Sequence, residues 1–175
     1  MTVPAPAREP VVIGLGGNVG TEAAIVERFD RARAALAVLA GGAGVRSARL
    51  YRSAPVGPDQ PWFLNTAVQI AAFDGQPGEL IAALLEIERL LGRRRDAEAR
   101  WGPRPIDLDA LVWGPRIVRT PELEVPHPRL AERRFALLPL IDLAGEDFVI
   151  PGRGAAGELA RGVADQPCAE VAATW

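Results

Sequence analysis

Apolar positions along the chain recur with two different periods. After Thr21, the residues Ile25, Phe29, Ala32, Leu36 and Leu39 step by four and three. That spacing predicts one face of a helix, with Thr21 as its N-cap and Gly41-Gly42 as its stop. Pro77 in a first-turn position, followed by Leu80, Leu84, Ile87 and Leu91, predicts a second helix closed by Gly92. Residues 62 to 72 alternate instead, with Leu64, Val68, Ile70 and Ala72 on one face and Phe63, Asn65 and Gln69 on the other. Ile106 to Trp113 reads as a strand that turns Ile106, Leu108, Ala110 and Val112 inward and leaves Asp107 and Asp109 together on the outward side. Val11-Val12-Ile13 is a short buried strand, and the glycines of Gly14-Leu15-Gly16-Gly17-Asn18-Val19-Gly20 read as a tight strand-to-helix turn. Residues 45 to 53 are β-rich but alternate poorly. After Pro126-His127-Pro128 a short helix is expected through Phe135 and Leu138, interrupted near Pro139, and a weaker one after Gly154.

The order strand, helix, two strands, helix, strand predicts an α+β fold: a ferredoxin-like core with a mainly antiparallel sheet and helices packed on its faces. Residues 1–10, with three prolines among alanines, read as a loose N-terminal tail, and 11–175 as a single domain. Of 175 residues, 49% are apolar and 24% charged, with net charge −2, the composition of an ordinary globular core with a mixed surface. The longest early apolar run, Val11 to Gly17, falls far short of the roughly 20 residues of a membrane span. A cytoplasmic protein with no membrane partner is expected. All twenty basic residues are arginine. The absence of lysine excludes Schiff-base chemistry and a Walker A phosphate loop. A lone Cys168 excludes an internal disulfide, and a lone His127 excludes paired histidine metal ligands. Chemistry here rests on carboxylates and guanidinium groups.

Asp107 and Asp109, two apart in a strand, place their side chains about 6.6 Å apart on one side. Magnesium usually takes one or two protein carboxylates plus substrate phosphates, so this pair suffices to dock a magnesium nucleotide. Against that stands an ordinary solvated strand face. Arg93, Arg94, Arg95, Arg100 and Arg104 immediately upstream supply the donors a triphosphate needs; as a solvated basic loop they would instead pair with Asp96 and Glu98. Nucleic acid is disfavoured by the net charge and the absence of lysine. The glycine segment fails the dinucleotide pattern, since Val19 stands where glycine is required. Tyr51, Trp62, Phe63 and Phe135 offer aromatic faces and Asn65 an amide for a flat heterocycle, although Trp62 reads better as core packing. His127, held between two prolines, is a candidate phosphate donor.

Arg100-Trp101-Gly102-Pro103-Arg104-Pro105-Ile106-Asp107-Leu108-Asp109 resembles the R-W-G-P-R-x-x-D-L-D signature of the 6-hydroxymethyl-7,8-dihydropterin pyrophosphokinases of folate biosynthesis. Three further blocks resemble that family in the same order: Ile13 to Asn18, Tyr51 to Gly57 with Phe63-Leu64-Asn65, and Val125 to Pro128 with Arg133 and Phe135. The resemblance implies an ATP-dependent diphosphotransferase, with ATP and a reduced pterin as its small-molecule substrates, working as a monomer. In that reaction the pterin hydroxymethyl oxygen attacks the β-phosphorus of ATP and AMP leaves. It implies two magnesium ions at Asp107 and Asp109, with Arg93 and Arg95 in a loop that closes over ATP. Arg100, Arg104, His127 and Arg133 would contact the triphosphate. Phe63 and Phe135 would sandwich the pterin, while Asn65 binds its amide edge with help from Ser53, Ala54 and Val56. Departures are Gly17 where serine is common, Phe63 where tyrosine is frequent, and Glu122 and Glu124 near the nucleotide. The competing expectation from fold alone is a non-catalytic ligand-sensing module.

Overall fold

The computed structural model describes residues 9–42, 44–95 and 102–175. In chain order come β1 (Val11–Gly17), α1 (Glu22–Leu39), β2 (Val45–Ser47), β3 (Leu50–Ser53), β4 (Phe63–Ile70), α2 (Pro77–Leu90) and β5 (Asp107–Trp113). They are followed by a small hairpin, β6 (Val118–Arg119) and β7 (Glu124–Val125), then α3 (Arg134–Ala144), β8 (Val149–Ile150), β9 (Gly154–Ala155), α4 (Ala156–Gly162) and β10 (Cys168–Ala172). The main sheet runs β10-β3-β4-β1-β5, with β2 also paired to β4, and every pairing in it is antiparallel. Taking β1, β3, β4 and β5 as the core strands, α1 and α2 make its two crossovers, which is the ferredoxin-like arrangement.

The predicted helix signals act as written. Thr21 caps α1 by accepting from the Ala24 N–H at 3.2 Å. α2 starts at Pro77, and the Gln76 N–H donates to Glu79 Oε2 at 2.6 Å. Ile25, Phe29, Ala32 and Leu36 of α1 and Leu80, Leu84 and Ile87 of α2 pack on Val11, Ile13, Leu15, Leu64, Val68, Ile70, Ile106, Leu108 and Ala110. The opposite face buries Val12, Ala67, Leu111 and Val112 beneath Ala136, Leu137, Leu140 and Leu143 of α3 and Ala156 and Ala160 of α4.

The structure corrects four expectations. Strand β1 runs on through Gly17, so Gly14, Gly16 and Gly17 are strand residues; a Cβ on Gly17 would sit 2.7 Å from the Pro105 carbonyl oxygen. Close approach of another backbone, and not a turn, requires glycine there. Val112 packs on the α3 side and not beside Ala110, because the β1–β5 register shifts between Val12 and Ile13 and inserts Leu111 as an extra residue. Helix α3 continues through Pro139, whose missing N–H costs less than the burial of Leu137, Leu140 and Leu143 around it returns. Trp62 is 52% exposed and belongs to no core cluster. Also not anticipated were the short pairs β6–β7 and β8–β9 and strand β10, which extends the sheet beyond β3; and the tail's last residues are held, with Pro10 accepting from the Gly114 N–H and Glu9 bonded to Arg116.

Candidate active site

Cross-strand register brings the candidate residues together. Gly16 of β1 lies opposite Asn65 of β4 on one side and Asp107 of β5 on the other; Gly14 lies opposite Ala67 and Asp109. Strands about 4.8 Å apart put Asn65 and Asp107 roughly 10 Å from one another across a strand whose Gly14 and Gly16 carry no side chain on that face. Gly14 and Gly16 form the floor of an open cleft. Its walls are Ser53, Ala54, Val56, Phe63 and Asn65 at one end, and Arg104, Asp107, Asp109, His127 and Arg133 at the other, with Phe135 and Ala136 of α3 closing the side. A Cβ on Gly16 would meet Asn65 Oδ1 at 3.3 Å, and one on Gly14 would meet Leu111 at 3.2 Å.

At the aromatic end, the buried Asn65 donates through Nδ2 to Ser53 Oγ at 2.9 Å. That bond fixes the amide's orientation toward the cleft between Phe63 and Phe135. Arg104 lies over the Phe63 ring at 5.9 Å and Arg133 over the Phe135 ring at 5.7 Å, so each aromatic plate carries a cation on its rim. Tyr51 does not line the cleft. Its hydroxyl donates to Asp142 of α3 at 2.9 Å, making it a strut between sheet and helix.

At the acidic end the two aspartates differ. Asp107 accepts from Arg93 Nη1 and, at 2.8 Å, from Arg104 Nη1. Burial works to raise its pKa, but those two guanidiniums outweigh it and hold the carboxyl below its usual range. Burial and then the charge of Asp107 push Asp109 up to about 7. His127 Nε2 lies 4.0 Å from Asp109 Oδ2. Burial and the nearby Arg133 lower His127 to about 4, so it is neutral at pH 7. Its Nδ1 accepts from the Arg129 N–H at 3.1 Å, which leaves Nε2 as the donor, facing Asp109. Arg133 Nε is buried with no hydrogen-bond partner among the described residues. An acid pair of which, among the described residues, only Asp107 is hydrogen-bonded to guanidiniums, and an orphaned guanidinium N–H, line the same cleft.

Arg93 and Arg95 stand beside this cleft and not in its lining. Both are held by Glu88 of α2, a residue absent from the motif-based expectations. Glu88 Oε1 accepts from the Leu108 N–H at 2.7 Å and from Arg93 at 2.9 Å, while Oε2 accepts from Arg95 Nε at 2.9 Å and Nη2 at 2.7 Å. Burial raises its pKa, opposed by the Leu108 N–H and then Arg93. One signal was available: Glu88 lies four residues after Leu84 and eight after Leu80, inside the apolar stripe of its helix. Asn18 is likewise buried; it donates to Gln60 and to the Pro61 carbonyl and accepts from the Arg104 N–H, tying together the segments at the two ends of the cleft. Arg100, and the pairing of the arginines with Asp96 and Glu98, lie outside the described residues.

An all-oxygen donor pair suits magnesium, which completes its shell with water and phosphate oxygens. The residues present fit that ion, since Asp107 and Asp109 both line the cleft.

The family described as 7,8-dihydro-6-hydroxymethylpterin-pyrophosphokinase matches residues 12–145. A Synechocystis 2-amino-4-hydroxy-6-hydroxymethyldihydropteridine pyrophosphokinase is 39% identical over 143 residues, covering 82% of this chain and 70% of that protein. The protein of the same name from Methylorubrum extorquens is 40% identical over 153 residues, covering 85% and 90%. Among solved structures, an HPPK-DHPS in complex with substrates superposes with a TM-score of 0.66 at 12% identity, a likeness of fold. It covers 90% of this chain, which spans under half, 44%, of that longer protein.

Proposed function

The chain belongs to the 7,8-dihydro-6-hydroxymethylpterin-pyrophosphokinase family, and from that premise we propose that its cleft transfers pyrophosphate from ATP to the hydroxymethyl group of 6-hydroxymethyl-7,8-dihydropterin, releasing AMP, as a step of folate biosynthesis. The observation that carries this reading is the row Asn65–Gly16–Asp107, which sets an amide-and-aromatic subsite and an acid pair on the two sides of a strand that is bare at Gly14 and Gly16.

The pterin ring lies between Phe63 and Phe135, its amide edge on Asn65, with Ser53, Ala54 and Val56 enclosing that end. Its hydroxymethyl group then points along the Gly16 floor toward the acids. Arg104, His127 and Arg133 grip the triphosphate from the far end, joined by Arg93 and Arg95 and, by its place in the motif, Arg100. His127 contributes a neutral Nε2–H donor. The arginines offer forks of donors whose charge offsets that developing on the phosphates. Asp107 and Asp109 would hold the magnesium, two ions in this reading, and bound there it would supply charge neutralisation on the phosphate oxygens. The chain's own contribution is positioning: it brings oxygen and phosphorus into line and needs no lysine or histidine base to do so. The lone cysteine and net charge of −2 suit a cytoplasmic monomer acting on small molecules and not on nucleic acid or membrane.

Incubated with magnesium, ATP and the pterin, the protein is expected to form AMP and the pterin diphosphate in equal amounts, followed by chromatography. Formation of ADP, or no turnover, would overturn the reading. The ligand-sensing alternative is disfavoured, because a sensor has no use for an acid pair flanked by guanidiniums.

A further inference from the structure

Glu88 is 1% exposed, yet all of its interactions run toward the reaction site. Its two oxygens divide the work. Oε1 takes the Leu108 N–H, the backbone group between the two aspartates, and Arg93, which is itself only 8% exposed and bonded onward to Asp107. Those bonds belong to the interior and join helix α2, strand β5 and Arg93 into one unit. Oε2 takes Arg95, through both Nε and Nη2. The Arg95 side chain is 53% exposed, and its Nη2 lies 3.9 Å from Asp107 Oδ1. An ion pair half in water exchanges partners readily, whereas its buried neighbour does not. Charge reinforces the asymmetry. A triphosphate arriving at Asp107 brings oxygens that accept the same fork of N–H groups that Oε2 accepts.

Building on the pyrophosphokinase reading, we propose that Glu88 is a positioning residue that fixes Arg93 against the acid pair and holds Arg95 beside it as a competitor of the nucleotide, releasing Arg95 to the phosphates when they bind. Arg95 is thereby kept within reach of the phosphate site. Part of its grip on the nucleotide is spent on leaving Glu88.

The test is a double-mutant cycle on the full chain, read as affinity for magnesium with the α,β-methylene analogue of ATP, whose bridging carbon blocks transfer. Glu88→Gln keeps the shape and removes the charge that retains Arg95. It is expected to tighten binding about two- to fivefold, the size of a half-exposed ion pair. In an Arg95→Ala background the same change is expected to leave affinity unaltered. Removing a buried negative charge for any other reason would tighten binding equally in both backgrounds, and that result would overturn the proposal, as would unchanged or weaker binding in the single variant. Should Glu88→Gln not fold, Glu88→Asp keeps the charge, draws the oxygens back by one methylene and is expected to act in the same direction. Failure of both to fold would assign Glu88 to the core alone and overturn the proposal. If the unaltered protein does not bind the analogue, it is the pyrophosphokinase reading that falls.

Discussion

Asp109 carries a carboxyl that folding penalises. Its pKa rises from 3.8 to about 7, through burial and the charge of Asp107. Between those values the folded protein holds a proton that the unfolded chain has lost, so this group's contribution to stability is full below pH 4 and drains away as pH rises through 7. Asp109→Asn removes that loss. Its melting temperature is expected to exceed that of the unaltered protein at pH 8, by a smaller margin at pH 5, while turnover nearly vanishes at both; a lower melting temperature at pH 8 would contradict the picture. The trade is that of a site kept strained for its chemistry. Glycine acts at the same scale. A Cβ on Gly16 presses on the Asn65 amide at 3.3 Å. Gly16→Ala is therefore expected to raise the KM for the pterin about tenfold, a loss on the order of 1–2 kcal/mol, while nucleotide affinity measured by calorimetry stays put. Gly17→Ala meets the Pro105 carbonyl instead, 2.7 Å from the added carbon. It should cost stability, about 1–3 kcal/mol in denaturant unfolding. Asp107 and Asp109 were legible as a pair from their spacing alone. Their unequal charge states were not, since Arg93 and Arg104 reach only Asp107.

Elements whose apolar residues repeat at 3.6 or 2 were readable in advance because one face of each meets a single large partner. α1, α2 and β4 are of this kind. The elements misread are those in which a neighbour overrules the local pattern. In β5 the inserted Leu111 carries Val112 to the α3 side, and in α3 burial on both sides of Pro139 keeps the helix going. β10 has a weak pattern of its own and becomes a strand by pairing with β3, one residue of its register slipping between Glu170 and Ala172. Beyond it Trp175 packs edge-on to Phe29, with ring centroids 5.8 Å apart, lies under Arg33 at 4.9 Å and donates from Nε1 to the Ala48 carbonyl at 2.9 Å. Trp175→Ala is expected to cost about 2 kcal/mol of stability, below the figure for a fully buried tryptophan. Because none of Phe29, Arg33 and Ala48 lines the cleft, kcat and both KM values should be unchanged. A rise in either KM would show that the edge of the sheet communicates with the site.

Across the whole molecule, one face of the sheet is filled by two helices and the other only partly, and the cleft is the part α3 leaves uncovered. Turnover is expected to require a divalent cation throughout: chelation should abolish AMP formation, and calorimetry should find nucleotide binding strongly weakened without magnesium, while the melting temperature falls little. Equal nucleotide binding with and without the ion would speak against the acid pair as its site. The ordered motifs already named the chemistry, because a handful of residue types at set spacings in four separate blocks is information local to the chain. Helical and strand periods did the same for most of the fold, since burial of a stripe is written in the stripe itself. What waited for the tertiary structure is whatever depends on which residue lies opposite which. Register alone puts Asn65 and Asp107 on either side of Gly16, and only the packing of α2 on β5 makes a buried Glu88 the common holder of two arginines and a backbone amide. Those pairings join segments up to dozens of residues apart, and no local pattern of hydrophobic and polar positions encodes the distance between them.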